Sequence, residues 1–216
     1  MYSATRALGG FGDSAKQALP ALAELLTNGN PQIVLYAATT LAIIGDPGKQ
    51  AIPVIVELLT YSAPSQQAEA VVNGVRSGAA SALERMGSEA TAAVPSLIQL
   101  LADSDKVVRG RSAIALWKIA GRTDGAEVMA ANIWPPGIFS SGSSVDLEDQ
   151  LNALAEMGPA AKAAVPSLHK LCRFNDQVTG PRAFATLKKI DPEAAATVRP
   201  LPGWESPSWL PPPAVP

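Results

Sequence analysis

The chain has 216 residues, of which 47% are apolar and 17% are charged, and its formal net charge is −2. This length suffices to bury a sizeable core in one or two domains, and the small net charge excludes an overall basic field that would attract nucleic acid or an anionic membrane. A single cysteine excludes an internal disulfide, and no apolar run reaches the roughly 18 residues of a transmembrane helix.

A repeated pattern begins in the first residues. Four glycines share the same neighbours: a leucine lies four residues before each of them and a proline lies eight residues after it. These glycines are Gly12, Gly45, Gly87 and Gly158. The leucine column comprises Leu8, Leu41, Leu83, Leu116, Leu154 and Leu187, with spacings of 33, 42, 33, 38 and 33 residues. Periods of this length indicate stacked structural repeats.

Each repeat is predicted to contain two helices, A and B. Helix A runs from the glycine through the proline to a pair of apolar residues, and the proline starts or kinks it because proline lacks an N–H group. Helix B, for example "PQIVLYAATTLAIIG" at 31–45, buries one side, since its apolar residues recur every three to four positions. The glycine then ends helix B in a left-handed cap.

The segment "AVPSLIQLLADSDKVVRGRSAIALWKIA", residues 93–120, resembles a HEAT repeat. Asp103 and Asp105 occupy the turn between the helices, and Val108 and Arg109 open helix B. The short, alanine-rich units are most similar to the HEAT-like repeats first described in phycobilisome lyases. The resemblance implies an all-α fold, an α-α superhelix of the HEAT-like solenoid type, over residues 1–198.

The repeat register divides the chain into successive segments. We expect a half-unit at 1–11, repeats at 12–44, 45–86, 87–119, 120–157 and 158–190, and a partial cap at 191–198. The half-unit has no helix A before it, so it exposes Leu8 and Phe11. Either the chain is a fragment of a longer solenoid, or a partner covers this helix.

The last segment, 199–216, reads "RPLPGWESPSWLPPPAVP" and contains seven prolines. This composition predicts an extended, polyproline-like tail. Trp204, Trp209 and Leu210 are its predicted anchors, either on the chain's own C-terminal end or on a neighbouring subunit.

Two repeats carry extra residues in the turn between helices A and B. Nine fall within "TYSAPSQQAEAVVNG" and five within "WPPGIFSSGSSVDLED". Insertions on one edge of a solenoid form a binding face in many repeat proteins, although neutral loop growth gives the same pattern. In the fourth repeat, Val128 replaces the proline and Trp134 the last leucine, and Trp134 and Phe139 are predicted interaction residues.

Groups that carry out catalysis are scarce. His169 is the only histidine and occupies a helix A position, and Cys172 falls in a core column. A structural zinc site needs about four His or Cys ligands, and the glycines stand at helix ends rather than in a phosphate-binding loop. We therefore predict no catalytic residues, no metal site and no cofactor.

The exposed side of helix B carries mainly basic residues. They are Arg6, Tyr36, Arg85, Arg111, Lys118, Arg182 and Lys189, interrupted by Asp149 and Glu156. Helix A carries Asp13, Glu24, Glu57, Glu89 and Glu127. The pattern predicts a basic inner face and an acidic outer face, or else an ordinary solvated surface. Arg76 and Arg109 share one column and are predicted to bond turn carbonyls or acids within the repeat stack.

These features favour a non-enzymatic scaffold or accessory subunit with protein partners in a larger assembly. A HEAT-like lyase or chaperone for a bilin-type chromophore is the alternative, and the resemblance alone supports it. Nucleic-acid binding through the concave face is a third hypothesis, which the sequence pI of about 5.5 disfavours. Since no signal peptide or membrane span is predicted, we expect a soluble, cytoplasmic protein.

Overall fold

The computed structural model describes residues 18–44, 51–62, 69–133, 144–173 and 179–198, and no strand occurs within these ranges. The helices are α1 (Leu19–Leu25), α2 (Pro31–Ile44), α3 (Ile52–Leu59), α4 (Glu69–Met86), α5 (Val94–Leu100), α6 (Lys106–Ala120), α7 (Ala126–Asn132), α8 (Ser144–Met157), α9 (Val165–Leu171), α10 (Thr179–Ile190) and α11 (Pro192–Ala196), with 3-10 segments at Gly87–Ala93 and Gly158–Ala164. The chain divides into two compact units, Met1–Gly125 (unit 1) and Ala126–Pro216 (unit 2).

Unit 1 is built from alternating A and B helices. The A helices α1, α3 and α5 each pack against the B helix that follows them, and the B helices α2, α4 and α6 lie side by side. Leu41, Leu83 and Leu116, the predicted leucine column, are 4%, 0% and 0% exposed. The one-sided periodicity of helix B is therefore confirmed, because its leucines form the core between the two layers.

Unit 2 repeats the same arrangement. Helix α7 packs on α8, α9 packs on α10, and the B helices α8 and α10 lie against each other. The short helix α11 contacts both α9 and α10, with Asp191 as its N-cap residue, accepting a hydrogen bond from the N–H of Ala194. Leu154 and Leu187 are fully buried.

The glycine and proline positions behave as separate structural signals. Gly87 and Gly158 have φ of 58° and 55°, so the predicted left-handed caps are confirmed at both. The proline was predicted to start or kink helix A, and at these repeats it stands in the first turn of a short α-helix that begins at Val94 or Val165 after a 3-10 segment. An α-helix continued through Pro95 would press its ring against the carbonyl of Thr91, so the chain is non-helical at Ala90 instead.

Two other details differ from the sequence pattern. Ala120, in the glycine column, is the last residue of α6, and Gly121 adopts the left-handed conformation with φ 62°, because the alanine side chain disfavours positive φ. In the second repeat, the inserted segment is partly helical, since α4 begins at Glu69 and has 18 residues against 15 in α6. The predicted half-unit, 1–11, and the tail, 199–216, lie outside the described residues.

Candidate protein-interaction surface

The outward face of the B helices in unit 1 carries four of the predicted interaction residues. Arg85 on α4 and Lys118 on α6 are exposed, while Tyr36 on α2 and Arg111 on α6 are half-buried. Because α4 packs beside both α2 and α6, these side chains belong to one continuous helical layer. We call this set the B face of unit 1.

Helix α6 concentrates positive charge on this face. Its sequence, "KVVRGRSAIALWKIA", contains four bases and no acid. Arg85 and Lys118 both lie in the last turn of their helices, where the helix dipole stabilises a positive charge. With Glu84 next to Arg85 in the sequence, the group comprises three bases and one acid.

An apolar residue lies between the cations of α6. Ile114 comes three residues after Arg111 and four before Lys118, which places all three on one side of the helix. Ile114 is only 3% exposed, although its column faces outward. The sequence pattern missed this burial, and the B face therefore presents charged side chains around a packed apolar centre.

The basic residues of unit 2 have a different environment. The guanidinium of Arg182 lies 3.3 Å from the Glu148 carboxylate of α8, and the ammonium of Lys188 lies 4.8 Å from the Phe184 ring centroid. Asp149 and Glu156 add further negative charge to α8. Lys189 is exposed, and Arg182 lies beside an acid of the neighbouring helix rather than in a basic patch.

The A side carries an exposed acid in each of the first four repeats. Glu24, Glu57, Glu89 and Glu127 are exposed as predicted, whereas Asp13 lies outside the described residues. In unit 2, the segment that precedes and forms α9 carries Lys162 and Lys170, both exposed. The four described glutamates are therefore exposed as predicted, and the fifth repeat, for which no acid was predicted, carries lysines on this side instead.

The aspartates and arginines near the turns have structural roles. Asp105 caps α6 by accepting hydrogen bonds from the N–H groups of Val107 and Val108 at 2.8 and 3.0 Å. Arg109 donates to the carbonyls of Asp103 and Ser104. Arg76 pairs with Asp103 in the same turn, which confirms the predicted bonding of both arginines within the repeat stack.

The histidine and the cysteine do not form a reactive pair with each other. The Nε2 atom of His169 lies 3.1 Å from the Thr197 hydroxyl, which joins α9 to the end of α11. Cys172 is 2% exposed, and burial raises the pKa of its thiol to about 12, so it is protonated at neutral pH. The described residues contain no cluster of metal-ligating side chains and no helix long and apolar enough to cross a membrane.

Several predicted interaction residues lie outside the described ranges and stay predictions. They are Arg6 in the half-unit, Trp134 and Phe139 in the second insertion, and Trp204, Trp209 and Leu210 in the tail.

Comparisons with known proteins agree with the repeat architecture. Residues 2–74 match the family of HEAT repeats, and residues 75–103 match the PBS lyase HEAT-like repeat. No curated protein matches the chain.

Solved structures give the same result for the fold. A crystal structure of an engineered protein aligns with a TM-score of 0.53 and 26% identity, over 80% of this chain and 78% of that one. A second engineered protein has a TM-score of 0.52 and 26% identity, over 87% of this chain and 53% of that one. A designed armadillo repeat protein has a TM-score of 0.51 and 18% identity, over 88% and 92% of the two chains, and shares the fold.

The alternating A and B helices and these matches define an α-helical repeat protein. More specifically, residues 2–103 of this repeat protein match HEAT-repeat families.

Proposed function

We propose that this protein is a non-enzymatic interaction module that binds an acidic segment of a partner protein through the B face of unit 1. HEAT-like repeats commonly serve as protein-interaction scaffolds. The observation that supports the proposal is the placement of Arg85, Arg111 and Lys118, with Tyr36, on adjacent helices of one layer.

The composition of this face suits protein recognition. Arginine and tyrosine are enriched among residues that dominate binding energy at interfaces, and arginine binds carboxylates through two parallel hydrogen bonds. Half-buried Tyr36 and Arg111 are held by their surroundings, so less side-chain entropy is lost on binding. The excess of positive charge favours a negatively charged partner and speeds its association.

A direct binding experiment tests this proposal. A fluorescent peptide rich in Asp and Glu is titrated with the full chain, and its anisotropy is followed at about 50 mM and about 500 mM salt. The double variant Arg85→Glu/Lys118→Glu is expected to weaken binding at least about tenfold. Lys106→Glu, at the opposite end of α6, is the matched control and is expected to bind within about twofold of the parent.

The same variants connect peptide binding to the natural partner. Cross-linking from position 85 in extracts of the native source is expected to capture a protein, and Arg85→Glu/Lys118→Glu is expected to abolish that capture. Equal peptide affinity of the parent and the double variant would contradict the proposal.

A lyase or chaperone for a bilin-type chromophore is a second candidate, which the match of residues 75–103 to the PBS lyase HEAT-like repeat supports. It predicts visible absorbance that co-purifies with the chain after incubation with a bilin. If no visible absorbance co-purifies with the protein while the acidic peptide binds, the result supports the interaction module and rejects the chromophore lyase or chaperone.

A further inference from the structure

Among the described residues, the A helices of unit 1 carry acidic side chains and no basic ones. Glu24 on α1, Glu57 on α3 and Glu89 on the following 3-10 segment are exposed, and α1, α3, this segment and α5 contain no Lys or Arg. Leu25 and Ile98, which are 40% and 37% exposed, are the two large apolar side chains that stand out to solvent among the described residues. We call this surface the acidic A face.

Within unit 2, the A side of the repeat that contains α9 has the opposite charge. Residues 158–173, "GPAAKAAVPSLHKLCR", contain no Asp or Glu, and Lys162, Lys170 and Arg173 are exposed. Between these cations the exposed residues are small or cyclic; they are Pro159, Ala160, Ala163 and Pro166. We call this surface the basic A face; Glu127 on α7 and Glu193 on α11 lie outside it.

The two faces are related by the repeat. Glu24, Glu57 and Lys170 each follow the repeat proline by four residues, so they occupy the same position on the A helix. Acidic and basic residues nearly balance over the whole chain, whose net charge is −2, while these two A-helix surfaces carry opposite signs. Each chain therefore carries both halves of a charge-complementary pair.

We propose that the acidic A face of one chain binds the basic A face of a second copy of this chain. The flat Pro and Ala surface around Lys162 accommodates exposed Leu25 and Ile98, and the aliphatic parts of the lysine side chains add apolar area. The opposite charges steer the encounter and fix its register, which is their main role at interfaces.

This self-association is independent of the B face, so it goes beyond the proposed function. Exposed Leu25 directly follows exposed Glu24 on α1, so an apolar side chain and a carboxylate are available together to a cationic partner surface. The contact is heterologous, joining two different faces, so it continues along several chains unless the rotation closes it.

Charge reversal tests the proposal in the full chain. Sedimentation equilibrium is measured over about 1 to 100 μM protein at about 50 mM and about 500 mM salt. The parent chain is expected to gain mass with concentration at low salt, with an association constant at least about tenfold weaker at high salt. Glu24→Lys/Glu57→Lys and Lys162→Glu/Lys170→Glu are each expected to be monomeric.

Complementation distinguishes pairing of the two faces from a general loss of solubility or folding. An equimolar mixture of the two double variants is expected to associate, and the fourfold variant, with both faces reversed, is expected to associate by itself. Helical circular dichroism and melting temperature check that each variant is folded. The B face variant Arg85→Glu/Lys118→Glu is the matched control, and it is expected to self-associate like the parent.

Several outcomes overturn the proposal. A parent chain that stays monomeric at low salt excludes this contact, as does self-association that survives either double reversal. Loss of self-association in the B face variant would place the contact on the other side of the molecule. Failure of the peptide titration alone would refute the proposed function and leave this inference intact.

Discussion

The Nη1 atom of Arg76 lies 2.8 Å from Oδ2 of Asp103 and donates a hydrogen bond to it. The Nε–H of the same arginine donates to the Tyr61 carbonyl at 2.9 Å. One side chain on α4 therefore ties the turn before its own helix to the turn of the next repeat. The Asp103 side chain is 5% exposed, so its carboxylate depends on protein partners rather than on water.

Removing Arg76 should destabilise the repeat stack. Arg76→Met keeps an aliphatic side chain but leaves the Asp103 carboxylate without this charged partner, and we expect a loss of about 1.5–3 kcal/mol in the free energy of unfolding. Urea denaturation measures it. The matched control is Arg122→Met, because Arg122 pairs with Asp124 at 2.7 Å where both are exposed, and no measurable change is expected there. Equal effects of the two substitutions would refute the structural role of Arg76.

Leu116 fills the centre of unit 1. It is 0% exposed, and Leu116→Ala removes buried methyl groups and leaves a cavity, so we expect a loss of about 2–5 kcal/mol. Leu25→Ala, at a position 40% exposed, is the control and should cost less than about 1 kcal/mol. If Leu116→Ala lowers the free energy of unfolding by less than about 0.5 kcal/mol, the leucine column does not form the core.

Gly125 is held by a close contact within unit 1. A Cβ at this position would lie 2.4 Å from Cβ and 2.8 Å from Cα of Ala113, so Gly125→Ala must displace backbone and should cost about 1–3 kcal/mol. Gly74 has nothing within 4 Å of the equivalent point and lies inside α4. Gly74→Ala should therefore raise the melting temperature, because it increases the free energy of unfolding by about 0.4–1 kcal/mol. Similar melting temperatures for both variants would contradict the predicted contact.

The Cys172 thiol should make stability depend on alkaline pH. Its pKa is about 12 in the folded chain and about 8.5 when unfolded. Below the pKa of the unfolded chain the thiol is protonated in both states, and its contribution to stability is fully present. Above that pKa only the unfolded chain ionises, so the free energy of unfolding falls by about 1.4 kcal/mol per pH unit. This loss continues until the pH reaches the folded pKa.

Urea denaturation of the parent and Cys172→Ala at about pH 7.5 and about pH 10 isolates this effect, and the gap in stability between them should narrow by about 1–2 kcal/mol. A constant gap, or rapid labelling of the native thiol, would show that Cys172 is accessible. Cys172→Ala should leave partner binding unchanged.

The tail lies outside the described residues, and its docking to a neighbouring subunit stays a prediction. Ala195 and Val198 are already 2% and 9% exposed, and α11 covers α9 and α10. Deleting residues 203–216 is therefore expected to leave helical circular dichroism and melting nearly unchanged while releasing the protein from its assembly, because Trp204 and Trp209 are lost. A truncated chain that melts much lower and still assembles would instead make the tail an internal cap.

The sequence by itself determined the repeat and its core. Leucine at a fixed distance from glycine predicted the burial of Leu83 and Leu116, because a helix of 3.6 residues per turn presents such positions to one side. The left-handed glycines and the roles of Arg76 and Arg109 were equally predictable, since each follows from local backbone geometry or from its place in the turn.

Only the tertiary structure decided how the charges are arranged. The sequence columns placed Arg182 with Arg111, yet the Glu148 carboxylate of the neighbouring helix lies 3.3 Å from Arg182, which a single-helix pattern does not contain. The columns also gave an acidic A side from Asp13 to Glu127, whereas exposed Lys162 and Lys170 make the fifth repeat basic there. Periodicity specifies which side of a helix is buried because burial is a property of that helix, but the sign of a surface depends on which helices pack beside it.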